Sequence, residues 1–195
     1  GELALPVISR GGGTSLSGQS IGTGLVIDFS KYMNQVLPVD TDLSTARVQP
    51  GVVLGQLNAF VKRHGLQFGP DVATSSRANL GGMLGNNSAG SRSIANGKMV
   101  DHLIELDVVY ADASTATLRA LTPDELAARQ QGDSRDAQVH RVVAETVAAE
   151  RDEILARFPR ILRRVSGYNL DEFVSECRTR IPIPPNVRLV REREQ

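Results

Sequence analysis

The chain is predicted to be an α+β protein, on three features of its 195-residue sequence. Short apolar segments bounded by turn residues indicate strands, and longer segments with apolar residues at helical spacing are interleaved with them. Sixteen of the 18 glycines lie at or before Gly97, so the later part of the chain is built differently. The length is sufficient for one domain with a sizeable core.

Five segments are predicted as β-strands because each is short and largely apolar. A turn signal, Pro50-Gly51, directly follows the third of them. The five strands are Leu5–Ser9, Leu25–Phe29, Ala46–Gln49, His102–Tyr110 and Ala116–Arg119.

Four segments are predicted as helices, and the third has the clearest start signal. Thr122 is expected to cap that helix, with Pro123 in its first turn and Glu125 completing a capping box. The short second helix is expected to direct its N-terminal amides at a ligand. The four helices are Val53–Arg63, Leu80–Asn87, Pro123–Gln130 and Asp136–Arg157.

The first candidate site is the run RGGGTSLSGQ, from Arg10 to Gln19, directly after a predicted strand. Glycine buries nothing and loses the most backbone entropy on folding, so this run suits a backbone that contacts a ligand. Successive amides without side chains form a concave cradle for anionic oxygens, and the hydroxyls and Arg10 add donors. A flexible linker is the alternative interpretation, which the apolar segments on both sides argue against.

The spacing of this loop narrows the kind of anion that it would bind. The dinucleotide pattern Gly-x-Gly-x-x-Gly fails at Leu16, and the triphosphate pattern fails at Gln19, where a lysine is needed. The missing ammonium argues against a triphosphate hydrolase. The loop is therefore expected to hold a diphosphate, mostly through its backbone.

A second Gly-rich segment, ANLGGMLGNNSAG, runs from Ala78 to Gly90. Its glycines are interleaved with Asn and Ser, whose side chains hydrogen-bond the polar edge of a ligand. A turn signal at Gly69–Asp71 precedes it. The two Gly-rich segments together predict one ligand-facing region in the first half of the chain.

Five motifs follow one another in an order typical of one family: RGGGTSLSGQ, VQPGVVLGQLN, HGLQFGPD, ANLGGMLGNNSAGSRS and GKMVDHLIELDVVYAD. The chain resembles the PCMH-type FAD-binding domain of the vanillyl-alcohol oxidase superfamily, in its glycolate oxidase and D-lactate dehydrogenase branch. The later RRVSGYNLDEF resembles members that also carry an iron–sulfur half. The resemblance implies a mixed sheet with surrounding helices over residues 1–177. It implies that residues 178–195 are an extended tail leading to a substrate or cap domain outside this chain.

The resemblance also implies roles for individual residues. Tyr168 and Asn169 would lie near the substrate face, and the strand around Ile104–Val109 would support the adenosine side. Arg163 and Arg164 are either a solvated pair or a contact for an anionic substrate. The residues implied to bind the cofactor are Arg10, Gly11, Gly12, Gly13, Thr14, Ser15, Leu16, Ser17, Gly18, Gln19, Pro70, Asp71, Ser75, Gly81, Gly82, Asn86, Asn87, Ser88, Gly90, Arg92 and Ser93.

The activity implied is oxidation of a D-2-hydroxy acid, of the glycolate, D-lactate or D-2-hydroxyglutarate type, by hydride transfer to FAD. The first loop contains no histidine, which implies dissociable, non-covalent FAD. The base would lie in a cap outside this chain, so no catalytic residue is assigned and the isolated chain should have little or no turnover. Two alternatives stay open. One is another FAD oxidoreductase of the same fold, such as an alcohol or aldonolactone oxidase or a sugar-nucleotide reductase. The other is a non-catalytic fragment that does not hold FAD and persists as a folded fragment or as a homo-oligomer.

Composition narrows the partners. The 22 basic and 22 acidic residues balance and tryptophan is absent, which argues against a nucleic-acid partner. No apolar run approaches the roughly 20 residues that a membrane span needs. The single Cys177 excludes an internal disulfide and a cysteine metal cluster, so any iron–sulfur cluster would lie outside this chain. A cytoplasmic location is expected, with peripheral contact with the inner membrane as the alternative. No metal ligand is predicted, and the electron acceptor stays open.

Overall fold

The computed structural model describes residues 5–161, 168–174 and 189–191, the last three by their backbone alone. The chain divides into two compact units, residues 1–103 with 184–195 and residues 104–183. The features predicted at Arg163, Arg164 and Cys177, and most of the predicted tail, lie outside the described residues.

The first unit pairs its described strands in three two-stranded ladders. The ladders are the parallel pair β1 (Val7–Arg10) and β2 (Leu25–Asp28), the antiparallel hairpin β3 (Val36–Asp40) and β4 (Thr45–Val48), and the antiparallel pair β5 (Leu66–Phe68) and β8 (Leu189–Arg191). Both parallel and antiparallel pairings are present, as expected for a mixed α+β architecture.

The helices of the first unit are short. They are α1 (Leu54–Val61), α2 (Leu80–Gly85) and α3 (Ser93–Asn96), with 3-10 turns at Lys62–His64 and Met99–His102. The turn after α1 ends at Gly65, whose φ of 66° lies in the left-handed region that glycine tolerates best.

The core of the first unit forms around α1. Val52, Leu54, Leu57 and Val61 are completely inaccessible to solvent. Leu54, Leu57 and Val61 lie on one face of α1, and this face packs in the same core as buried side chains of β5 and α2. The buried members are Ala46, Val52, Leu54, Leu57, Val61, Leu66, Phe68, Ala78, Leu80, Met83 and Met99.

The second unit consists of one hairpin and three helices. These are β6 (Glu105–Val109) paired antiparallel with β7 (Thr115–Arg119), followed by α4 (Pro123–Arg129), α5 (Arg135–Ala149) and α6 (Arg151–Arg157), with a 3-10 turn at Leu170–Phe173. Ile154 and Val174 form a small buried cluster, on which Val147, Leu155, Phe158 and Leu170 pack.

A carboxylate on α5 links the elements of the second unit. Asp136 accepts hydrogen bonds from the Tyr110 hydroxyl (2.9 Å) and from Nε of Arg129 (2.6 Å), and His140 Nδ1 lies 3.5 Å away. Arg129 also donates to the Thr117 carbonyl (2.7 Å). Burial alone would raise the pKa of Asp136, but the hydrogen bonds from Arg129 and Tyr110 outweigh it and hold this pKa below its usual value. The cluster ties the hairpin to α4 and α5.

The α+β class and all five predicted strands are confirmed, with ends shifted by a few residues. The predicted cap of α4 is also confirmed: Thr122 accepts from the Glu125 amide, and Glu125 accepts from the Thr122 amide. β3 and β5 were not predicted, because β3 contains a proline and β5 has only three residues.

The single helix predicted over 136–157 is wrong. The backbone leaves the helical region at Glu150 (φ −100°, ψ 16°), which separates α5 from α6. The break allows α6 to direct Ile154 into the cluster with Val174, a tertiary contact that the local pattern does not contain. The helix also begins one residue earlier than predicted, after Ser134, whose side chain caps it.

Candidate functional site

The first Gly-rich loop begins where β1 ends and packs on the second Gly-rich segment. A Cβ added to Gly11 would lie 2.8 Å from Oδ1 of Asn79, and one added to Gly12 would overlap the carbonyl oxygen of Arg77. The absence of side chains therefore allows the two segments to meet. The sequence predicts the two segments only as one ligand-facing region. In the structure, the first loop contacts the Asn79 side chain of the second segment and the backbone of Arg77 directly before it.

The rest of this loop is open to solvent. Gly13 and Gly18 have φ values of 65° and 77°, and nothing lies within 4 Å of a Cβ added to Gly18. Leu16 is fully exposed, and the Ser15 hydroxyl donates to Oε1 of Gln19. Among the described residues, none of the nine backbone amides from Gly11 to Gln19 donates to a protein acceptor. The loop thus presents a row of donors without partners of their own.

Arg10 places a cation beside this row. Its Nη2 lies 3.2 Å from the position of a Cβ on Gly13, and Arg10 is half-buried. Asp28 lies opposite Arg10 in the β1–β2 register. Hydrogen bonds from the Ser30 hydroxyl and amide, and more weakly the charge of Arg10, hold the pKa of Asp28 below its usual value.

The start of α2 differs from the expectation that its N-terminal amides face a ligand. The amide of Leu80 donates to the Val52 carbonyl and that of Gly81 to the Pro50 carbonyl, both at 2.9 Å. The helix begins on a backbone bridge between Val53 and Asn79, which uses these donors inside the protein. Gly82 is the exception, since it is exposed and nothing lies within 4 Å of an added Cβ.

Asp71 organises a separate group of the predicted residues. Its carboxylate accepts from the Ser91 hydroxyl (2.8 Å) and the Arg92 amide (3.0 Å), and Nε of Arg92 lies 3.8 Å away. Gly90 packs directly against Asp71, and its amide donates to the Ser93 hydroxyl at 2.7 Å. These contacts fix the loop that leads into α3.

The Asn-Asn-Ser stretch after α2 is mostly bonded to the protein itself. The Asn86 side chain donates to the Ser88 hydroxyl (3.3 Å), and Oδ1 of Asn87 accepts from the Val100 amide (3.1 Å). Pro70 is fully buried, and the Ser75 carbonyl accepts from the Gly55 amide at 2.8 Å. In this structure these residues shape the loops around the site more than they expose donors.

Asn79 belongs to the second Gly-rich segment, but it is not among the residues that the resemblance implies to bind the cofactor. It is 3% exposed, its Nδ2 donates to the Gly51 carbonyl, and its Oδ1 has no partner among the described residues. The signal that points to it is a polar residue between two buried apolar ones, Ala78 and Leu80.

His102 is the first residue of the predicted strand His102–Tyr110, and Tyr168 is implied by the resemblance to lie near the substrate face. The His102 ring is 1% exposed, lies 5.3 Å from the Phe68 ring and contacts the Asn96 carbonyl. This places His102 in the core of the first unit. Tyr168 is 88% exposed, in the second unit.

The donor set suits the diphosphate of a dinucleotide. The first loop offers a run of amides, three hydroxyls and the Arg10 guanidinium, and it contains no carboxylate. Residues 2–119, more than half of the chain, match the family described as FAD binding domain. The chain belongs to this FAD-binding family.

Several curated relatives of this FAD-binding chain are much longer than it is. The D-2-hydroxyglutarate dehydrogenase of Pantoea ananatis is 36% identical over 168 residues, which cover 86% of this chain and 16% of that protein. The corresponding protein of Pseudomonas putida is 38% identical over 163 residues, or 83% and 16%. The glycolate oxidase subunit GlcD of Bacillus subtilis is 39% identical over 113 residues, or 57% and 24%. The chain thus spans a quarter or less of these relatives.

Solved structures confirm the PCMH-type fold of the FAD-binding chain. The 6-hydroxy-D-nicotine oxidase of Arthrobacter nicotinovorans aligns with a TM-score of 0.54 and 24% identity, over 60% of this chain and 25% of that one. An alkyldihydroxyacetonephosphate synthase aligns with a TM-score of 0.53 and 26% identity, over 62% of this chain and 24% of that one.

Within the described residues, no helix is both long and apolar enough to cross a membrane.

Proposed function

We propose that the chain is the FAD-binding portion of an oxidoreductase that oxidises a D-2-hydroxy acid of the glycolate, D-lactate or D-2-hydroxyglutarate type. The observation that carries the proposal is the exposed row of amides from Gly11 to Gln19, beside Arg10, at the contact between the two Gly-rich segments. The names of the curated relatives support the substrate class, since they are dehydrogenases and an oxidase of such acids.

In this proposal the first loop binds the diphosphate. Its amides and the hydroxyls of Thr14, Ser15 and Ser17 donate to the phosphate oxygens, and Arg10 offsets part of the negative charge. Gly82 allows the ligand to approach α2 closely. The remaining predicted residues hold the loops that surround the cofactor. FAD, when bound, supplies the acceptor for the hydride of the substrate; this chain binds and orients it.

The mode of FAD binding is proposed to be non-covalent. The loop from Arg10 to Gln19 contains no histidine, and the His102 ring is enclosed in the core. An iron–sulfur cluster, if the whole protein has one, is proposed to lie in other parts of it. The oligomeric state and the cytoplasmic location stay predictions, and the electron acceptor stays open.

The first test of the proposal is whether the purified 195-residue chain retains flavin. The chain is incubated with FAD and desalted, its visible spectrum is recorded, and the Kd is obtained from flavin fluorescence. A retained flavin spectrum is expected. The variant Arg10→Ala should raise the Kd about tenfold, since it removes a charge-assisted contact with phosphate.

The control for this variant is Lys31→Ala. Lys31 is an exposed cation in the same unit, at a position outside the predicted site, so its loss changes the net charge equally. Equal effects of the two substitutions would contradict a specific role of Arg10. A chain that retains no flavin under any condition would refute FAD binding by this chain alone.

The substrate class requires the whole gene product. It is assayed with glycolate, D-lactate and D-2-hydroxyglutarate and an artificial electron acceptor, and with primary alcohols and aldonolactones for comparison. Turnover of at least one D-2-hydroxy acid in preference to the alcohols is expected. Oxidation of alcohols or lactones alone would support another FAD oxidoreductase of the same fold instead.

A further inference from the structure

Asn79 stands out because it holds a buried acceptor that nothing satisfies. Its side chain is 3% exposed, and Oδ1 has no hydrogen-bond partner among the described residues. An unsatisfied buried polar atom costs about 1–3 kcal/mol, so buried acceptors are nearly always paired. The carboxamide cannot turn over to relieve this cost, because its Nδ2 donates to the Gly51 carbonyl.

The first Gly-rich loop has the complementary deficit at the same place. Oδ1 of Asn79 faces the backbone of Gly11 and Gly12, lying 2.8 Å and 3.2 Å from the positions of their added Cβ atoms. The amides of this loop have no acceptor among the described residues. A buried acceptor without a partner is therefore in contact with a stretch of backbone whose amides have no acceptor in the described protein.

We infer that Asn79 is a positioning residue for the first Gly-rich loop: one amide of the turn Gly11–Gly13 rotates to donate to its Oδ1. A ligand phosphate cannot fill this place, because phosphate oxygens at neutral pH are acceptors like Oδ1 itself. With this hydrogen bond to Asn79, the amides of the loop have two kinds of acceptor. One amide anchors the loop to the start of α2, and the others stay turned toward the phosphates of the ligand.

The expected effect on FAD affinity rests on the proposed function, but the hydrogen bond from the loop to Asn79 does not. The anchored amide is expected with or without cofactor, because the cost of the orphaned acceptor does not depend on the ligand. Two measurements therefore separate the two proposals: the Kd for FAD, and the hydrogen exchange of the glycine amides followed by NMR on the 195-residue chain.

The variants are Asn79→Ala, which removes the acceptor, and Asn79→Asp, which keeps an acceptor oxygen but adds a negative charge near the phosphates. Asn58→Ala is the matched control. Asn58 lies on α1 in the same unit, where its Oδ1 accepts from the Phe68 amide at 2.8 Å. Its loss removes a comparable hydrogen bond away from the loop. All assays are run well below the melting temperature of each variant, which circular dichroism determines.

With Asn79→Ala, we expect the Kd for FAD to rise about fivefold to tenfold, the loss typical of one hydrogen bond. One amide among Gly11–Gly13 should exchange faster than in the unmodified chain, with and without FAD. Asn79→Asp should bind FAD more weakly still, with that amide protected. Asn58→Ala should lower the melting temperature but leave the Kd and the loop amides unchanged.

The outcomes that differ from these expectations contradict either the inference about Asn79 or the proposed function. If the unmodified chain binds FAD and Asn79→Ala has the same Kd and the same amide exchange, the inference is wrong and the proposed function stands. If Asn58→Ala weakens FAD binding as much as Asn79→Ala does, the effect is one of general stability and the inference is again wrong. If the unmodified chain binds no FAD, the proposed function of this chain fails. The exchange rates of Gly11–Gly13 then decide the inference alone, and equal rates in the two proteins would overturn it.

Discussion

The substitution Gly82→Ala should have opposite effects on stability and on cofactor binding. Gly82 lies in the first turn of α2, is exposed, and has no atom within 4 Å of an added Cβ. In the ligand-free chain the methyl group therefore meets nothing. Alanine also restricts the unfolded backbone more than glycine does, so the variant should be more stable by about 0.5–1 kcal/mol.

The size of both effects follows from this geometry. A gain of that size corresponds to an increase in melting temperature of roughly 1–4 °C for a chain of this length. If a phosphate or ribityl oxygen approaches the Gly82 backbone to hydrogen-bond distance, the methyl group occupies its place. Relieving such an overlap costs about 1–3 kcal/mol, which raises the Kd for FAD by about fivefold to somewhat more than a hundredfold.

The assay compares thermal melts in the absence of FAD with fluorescence titrations of FAD. Gly85→Ala is the comparison, since Gly85 ends the same helix with equally open space but lies one turn further from the loop contact at Asn79. It should gain stability with a smaller change in Kd. An unchanged Kd in Gly82→Ala would refute the reasoning that the exposed face of α2 receives the ligand. A loss of stability would contradict the conclusion that the ligand-free chain has space for a methyl group at Gly82.

Two further predictions concern the cores of the two units. Leu57→Ala should lower the free energy of unfolding of the first unit by about 2–5 kcal/mol, because Leu57 is fully buried in its core, and denaturant titration should show it. Asp136→Asn should destabilise the second unit by about 1–2 kcal/mol at pH 7, because it weakens the hydrogen bonds from Arg129 and Tyr110. Because the folded pKa of Asp136 is lowered, this difference should be complete above the unfolded pKa of about 3.9 and disappear as the pH falls through the folded value. A pH-independent difference in urea titrations would contradict an ionic role for Asp136.

The structure also changes which variants are informative. A side chain at Gly12 would overlap the Arg77 carbonyl, so substitutions there would disturb the contact between the two Gly-rich segments whether or not a ligand binds. Gly82 has no such contact, so a rise in the Kd of its alanine variant reports on the space that the ligand occupies. The two glycines look alike in the sequence, and only their surroundings separate a packing requirement from space left for a ligand.

Local chemistry explains what could be predicted at the site and in the fold. The start of α4 could be predicted from its capping residues, because Thr122 and Glu125 hydrogen-bond to amides within the same turn. The apolar spacing of α1 gives its buried face for a similar reason, since residues three and four apart lie on one side. The break at Glu150 has no glycine or proline beside it to mark it in the sequence, and the helix that follows it carries Ile154 into the cluster with Val174.

The sequence by itself determined the α+β class, five strands, the two Gly-rich segments and the resemblance to FAD-binding proteins, because these depend on residue type and short-range spacing. The tertiary structure decided which glycines are needed for packing and which face open space. It also decided that the first amides of α2 are bonded to Val52 and Pro50, and that Asn79 carries an unsatisfied acceptor beside Gly11. The physical reason is distance along the chain. Gly11 and Asn79 are far apart in sequence, and no local pattern encodes which backbone groups such a contact leaves without a partner.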